Sequence, residues 1–145
     1  MSKVKRMTAI AGITSSILLA VAPAAHADDP SWRSHWDDAH IAQESHSWLD
    51  SNYTEINYTH CDSNSDVSTH VLLWRKLDYQ PDPTFGSKRF TQCFSGSNGD
   101  WTSTGTYSGL DAGAYYFSVQ YIDDHFYSDS TLDVTTVYVD TTKAD

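Results

Sequence analysis

The sequence predicts an all-β protein, an antiparallel β-sandwich. Three observations carry that expectation. In residues 108–122, Tyr115, Phe117, Val119 and Tyr121 alternate with Tyr116, Ser118, Gln120 and Ile122, the period-2 pattern of a strand with one face on a core. The acidic residues are seventeen Asp and two Glu; Asp suits turns and strand ends, whereas Glu suits helices. The remaining apolar runs are short and separated by Gly, Asp, Asn, Ser and Pro, with no helical period of useful length between them.

Residues 1–27 stand apart from this pattern. Lys3, Lys5 and Arg6 give a positive start, residues 10–21 are a short apolar run, Pro23 interrupts it, and Ala25-His26-Ala27 has the small-x-small form of a cleavage site. This is the layout of a secretory signal peptide. The run is shorter than the ~20 residues that cross a bilayer. Cleavage after Ala27 leaves 118 residues, the length of one domain.

Three of the nine Lys and Arg fall in this leader, so six remain against 19 Asp and Glu, a net charge of −13 with His neutral. That balance lacks the basic footprint of a nucleic-acid binder and is repelled by anionic membranes. It suits a secreted, extracellular protein. In the oxidising compartment beyond the membrane, the two cysteines read as one disulfide, Cys61–Cys93. Closing the intervening loop stabilises the fold by about 3–4 kcal/mol in the chain-entropy model.

Residues 28–50 form an N-terminal arm. Trp32 and Trp36 lie four apart, Ser31 can cap, and Asp37 and Asp38 follow; this predicts a short helix within residues 34–45. Trp48 and Leu49 then anchor the arm to a domain spanning 51–140. There Thr54, Ile56, Tyr58 and His60 share one strand face, and Tyr53, Glu55, Asn57, Thr59 and Cys61 the other. Further strands are expected at 67–76, where both faces are partly apolar, at 88–94, at 101–107 and at 114–122. A turn is expected at Leu110-Asp111-Ala112-Gly113, with Gly113 in a backbone conformation that suits only glycine. Residues 78–87 (DYQPDPTFGS) are a long loop stiffened by two prolines. In the last strand, Leu132 and Val134 give way to Val137 and Val139, a change of phase that predicts a β-bulge near Thr135 and Thr136. Residues 141–145 are a tail. Six to seven short strands at this spacing suit an Ig-like or jelly-roll-like topology.

Motifs for chemistry are weak. Asp62, Asn64 and Asp66 match the first half of a calcium loop, but Val67 and Leu73 stand where glycine and a bidentate glutamate are needed. An Asx-rich hairpin turn explains them better; a site shared with Asp123 and Asp124 is the remaining calcium alternative. His35, His40, Glu44 and His46 lack zinc spacing. No nucleophile elbow, phosphate loop or HExxH occurs. No catalytic residue and no cofactor is assigned.

All five Trp, nine Tyr and five Phe follow residue 27. Strand alternation sends some outward, Tyr53 and Tyr116 among them, where aromatic rings stack on sugars or on a protein partner. The expected function is therefore a non-catalytic binding protein that recognises extracellular carbohydrate or protein through surface aromatics. The alternative is an inhibitor of an extracellular protease or glycosidase, acting through the 78–87 loop with Tyr79 and Phe85 as its contact residues. A small hydrolase ranks third.

Overall fold

The computed structural model describes residues 31–96, 100–126 and 129–142. They form β1 (Trp32–Ala39), β2 (Trp48–Ser63), β3 (Thr69–Lys76), β4 (Thr84–Phe90), a one-turn helix α1 (Gln92–Ser95), β5 (Thr102–Ile122) and β6 (Leu132–Asp140). The six strands make one sheet in the order β1-β6-β2-β5-β3-β4, with every pairing antiparallel. The expected leader and the last three residues of the tail lie outside the described residues.

The two longest strands bend this sheet back over itself. Tyr58 of β2 is paired with Ser103 of β5. Phe117 lies fourteen residues further along β5, which would be roughly 46 Å away in a straight strand. The rings of Tyr58 and Phe117 are nevertheless 6.0 Å apart. The bend is built where Asn52 opposes Leu110 and Tyr53 opposes Ser108, leaving Gly109 as an extra residue. Gly109 has φ 69° and Asn52 φ 68°, the left-handed conformation used at bulges that kink a strand.

The space enclosed by the bend is the core. Phe117 sits at its centre, with ring centroids 5.4 Å from Trp36, 6.0 Å from Trp48 and 6.3 Å from Trp32. Phe90 meets Tyr58 edge-on at 4.9 Å. The disulfide joins Cys61 at the end of β2 to Cys93 in α1, with Cα atoms 5.1 Å apart and both residues buried. This is the expected pairing.

Several local expectations are corrected. The segment read as a helix, 34–45, is strand β1 as far as Ala39, where it pairs with β6, and beyond that a turn and an edge segment bonded to β5. Residues four apart share a strand face as well as a helix face, so the Trp32/Trp36 spacing fitted both periods, and both rings reach the same core phenylalanine. No turn interrupts 110–113; the strands expected at 101–107 and 114–122 are two halves of β5. The positive φ belongs to Gly109, and Gly113 is constrained instead by the Arg75 side chain, whose Nε lies 2.7 Å from where a Cβ would sit. The strand expected at 67–76 begins at Thr69. The strand expected at 88–94 starts earlier, at Thr84, and ends at Phe90, so only 77–83 remain a loop.

The phase change near Thr135 and Thr136 is present: Ser34 opposes Val137 but Trp36 opposes Val134. Strand β2 changes phase beside it. His60 has φ 52° and turns outward, while Cys61 turns into the core. Two neighbouring strands thus shift together and keep their register, Thr59 with Thr136 and Cys61 with Val134.

Candidate functional site

The outward face of β3 and the second half of β5 carries the best-formed site. Trp74 and Tyr116 are cross-strand partners. Their rings are parallel within 4°, with centroids 6.1 Å apart. The Trp74 indole N–H donates to Ser118 Oγ at 2.9 Å, and the Tyr116 hydroxyl donates to Asp82 Oδ2 at 2.9 Å. Both rings are half-buried, and each lines a different groove. On the Tyr116 side is a polar groove of about 310 Å³ with Glu44, Ser45, Ser47, Lys76 and Asp82. On the Trp74 side is an apolar groove of about 300 Å³ with Ile41, Ala42, Leu72, Val119 and Phe126, where Ser118 and Gln120 are the polar members. These volumes sit at the lower end of the roughly 300–1,000 Å³ found for small-molecule sites.

Backbone pairing on both edges of β5 builds the grooves. Strand β3 occupies one edge. Residues 42–45 occupy the other, through Ala42 N–H to Val119 O at 2.8 Å, Ser45 N–H to Phe117 O at 2.9 Å and Val119 N–H to Gln43 O at 3.0 Å. That segment sets Glu44 opposite Ser118. The 77–83 loop closes the polar groove. Asp82 holds it in place, accepting the Leu77 N–H at 2.8 Å as well as the Tyr116 hydroxyl. Burial first, and the Asp82 carboxylate second, push the Tyr116 phenol up to about 12. It therefore stays a neutral donor at all ordinary pH. Lys76 and Glu44 line the same groove without forming an ion pair with each other.

Of the four aromatics expected to bind, the structure places only Tyr116 here. Tyr53 lies beside the β2 bulge and donates its hydroxyl to Glu55 Oε2 at 2.9 Å. Phe85 is not a loop-tip residue: it sits in β4 and packs edge-on against Tyr115 with centroids 5.6 Å apart. Tyr79 is fully exposed at φ 64° in the loop that Asp82 anchors. The sequence reading missed Trp74, Glu44, Lys76 and Gln120. The available signal is the apolar second face of β3, which equally suits its place inside the sheet between β5 and β4.

The calcium candidates have other duties. Asp66 accepts the Ser63 N–H at 2.9 Å, while Asp62 and Asn64 point to solvent. Asp123 is buried and accepts Ser63 Oγ–H at 2.7 Å, Ser65 N–H at 3.1 Å and Val67 N–H at 3.1 Å, so it staples that turn. Asp123 and Asp124 are the two central residues of a hairpin turn, with φ 51° and 60°, where Asp tolerates the left-handed conformation. Asp124 ties together Arg89 of β4, His70 of β3 and Ser68. Those hydrogen bonds, Arg89 first, hold its carboxyl well below the usual carboxylate range. Among the described residues no group of three His, Cys, Asp or Glu is placed to hold a metal ion, and no helix is long and apolar enough to cross a membrane. No protein-family model, curated protein or solved structure matches the chain.

Proposed function

We propose that the chain is a secreted, non-catalytic binding protein that takes extracellular carbohydrate on the outward face of β3 and the second half of β5. The carrying observation is the parallel Trp74–Tyr116 pair, set between two grooves. A sugar ring offers an apolar C–H face and a rim of hydroxyls. Its complement is an aromatic surface with a few fixed polar groups beside it. Tyr116 is held by Asp82 and Trp74 by Ser118, so little side-chain freedom is lost when a ligand docks. Lys76 supplies donors and Glu44 acceptors for the hydroxyl rim. The signal-like leader and the disulfide are compatible with export, and no cofactor is assigned. The folded-over sheet serves this reading as a two-layer sandwich, with β1, β6, β2 and the first half of β5 backing the face that binds.

The test is retention on insoluble polysaccharides, followed by calorimetric titration with soluble oligosaccharides. Trp74→Ala and Tyr116→Ala each weaken binding by about tenfold or more, with melting temperature recorded for each variant. Retention unchanged in both variants sinks the proposal.

A second reading keeps the hydrolase inhibitor, because Tyr79 stands fully exposed on a loop braced by Asp82 and two prolines. Phe85 drops out of it, being packed on Tyr115. Tyr79→Ala abolishes inhibition of an extracellular protease or glycosidase under this reading, and leaves sugar binding intact under the first.

A further inference from the structure

The apolar groove on the Trp74 side differs from the polar groove in its make-up. Its apolar side chains are those of Ile41, Leu72 and Phe126, and Gln120 lies among them. The Gln120 side-chain amide makes no hydrogen bond to another described residue, although Gln120 is half-buried. A carboxamide brought this close to apolar surface has both a donor and an acceptor to satisfy. The substituent that complements it has an amide of its own and a small apolar end. No charged side chain lines this groove, and the chain as a whole carries a net charge of −10, which disfavours a uronate or sulfated sugar.

Resting on the carbohydrate reading, we propose that the groove takes the acetamido group of an N-acetylated amino sugar. The sugar ring lies against the Trp74–Tyr116 pair, the acetamido amide exchanges hydrogen bonds with Gln120, and the methyl enters the space between Leu72 and Phe126. The ring hydroxyls on the other side meet Lys76 and Glu44 in the polar groove. The ligand class is then a neutral oligomer or polymer of N-acetylhexosamine rather than a glucan.

Calorimetric titration of the disulfide-bonded protein tests this with three tetramers of the same β-1,4 linkage: N-acetylglucosamine, glucose and glucosamine. One amide pair and one buried methyl predict that the N-acetylated tetramer binds about tenfold or more tighter than the glucose tetramer. Gln120→Ala and Phe126→Ala reduce that ratio, because they weaken binding of the N-acetylated tetramer more than that of the glucose tetramer. Both substitutions are at exposed or half-buried sites, and a melting curve checks the fold of each. Equal binding of the two neutral tetramers, lost in Trp74→Ala, overturns the acetamido assignment and leaves the carbohydrate reading standing. Preferential binding of the glucosamine tetramer, falling steeply with salt, also overturns it, because general attraction to an acidic protein then explains the affinity. If no tetramer binds, both readings fail together.

Discussion

Strand β5 has two halves that do different jobs. Along residues 102–108 the inward positions are Ser103, whose Oγ accepts the Cys93 N–H at 2.9 Å, Gly105, which lies beneath the Phe90 ring, and the buried Tyr107, whose hydroxyl donates to Val71 O at 3.0 Å. Two of the outward ones are threonines already engaged with β2, Thr102 with Thr59 at 2.9 Å and Thr104 with Asn57. Along 113–122 the inward side chains are Tyr115, Phe117 and Val119, all buried, and the outward ones are Tyr116, Ser118 and Gln120. At Ser103 and Gly105 the first half receives bulk from α1 and β4. The second half supplies it at Tyr115, Phe117 and Val119. The outward contrast matters most for function: in the first half polar groups satisfy one another across strands, whereas the second half keeps ring surface and an amide available.

This contrast predicts unequal costs of substitution. Phe117→Ala removes the ring on which Trp32, Trp36, Trp48 and Tyr58 converge, and costs about 3–5 kcal/mol in urea unfolding. A loss below about 1 kcal/mol would mean that the second half does not hold the core. Next comes the disulfide, which ties α1 beneath the first half. Reduction, or Cys93→Ala, costs about 3–4 kcal/mol from loop-closure entropy. The mass of the intact chain rises by two hydrogens on reduction; an unchanged mass contradicts the bond.

The sequence made the alternation, the disulfide and the β6 phase change readable, because each is local or depends only on residue type. The bend was not readable in that way. It arises from positive φ at Asn52 and Gly109, and the segment 110–113, which has the residues of a turn, is kept in the strand by pairing with β2, Asp50 to Gly113 and Asn52 to Leu110, with a register shift between the two pairs. Tertiary pairing overrode a local turn signal. Strand β1 shows the same effect, since its tryptophan spacing suited two periods and only the partner strand β6 decided between them. At the candidate site Tyr116 was legible from alternation alone. Trp74 became significant only through its cross-strand partner, and Glu44 and Gln120 only through the segment laid along the other edge of β5.

Two glycines sharpen the difference between framework and bend. A Cβ at Gly105 would lie 2.7 Å from the Phe90 ring, with the backbone in an ordinary strand conformation. Gly105→Ala therefore acts by overpacking, at about 1–3 kcal/mol. At Gly109 nothing lies within 4 Å of a Cβ, but φ is +69°. Gly109→Ala acts through the backbone alone, at about 1–2 kcal/mol. Trimming Phe90 to Leu distinguishes them: it rescues part of the Gly105→Ala loss and none of the Gly109→Ala loss. Equal rescue of both would show that the bulge is packed rather than strained.

The smallest effect compares one outward hydrogen bond from each half. The Thr59–Thr102 pair is neutral, and its coupling in a double-mutant cycle with Val is about 0.5 kcal/mol. The Tyr116–Asp82 pair joins a phenol to a carboxylate and anchors the 77–83 loop. Discounted for its exposure, its coupling from Tyr116→Phe and Asp82→Asn is about 1 kcal/mol. The two pairs differ most clearly in their response to pH. Burial and Asp82 raise the folded-state phenol to about 12 from an ordinary value of 10.0. A raised value means that the folded state keeps its proton where the unfolded chain has begun to lose it. The stabilising contribution of Tyr116 is thus fully present below pH 10 and is lost as pH rises through the folded value. The stability difference between wild type and Tyr116→Phe should stay level from neutral pH to about 9 and then shift against wild type. Valine at Thr59 should give a difference that is flat over the whole range. The phenolate absorbance that disappears in Tyr116→Phe should titrate near 12 in the native protein and move down in Asp82→Asn; a titration near 10 in both proteins would show that the loop does not hold this ring in place.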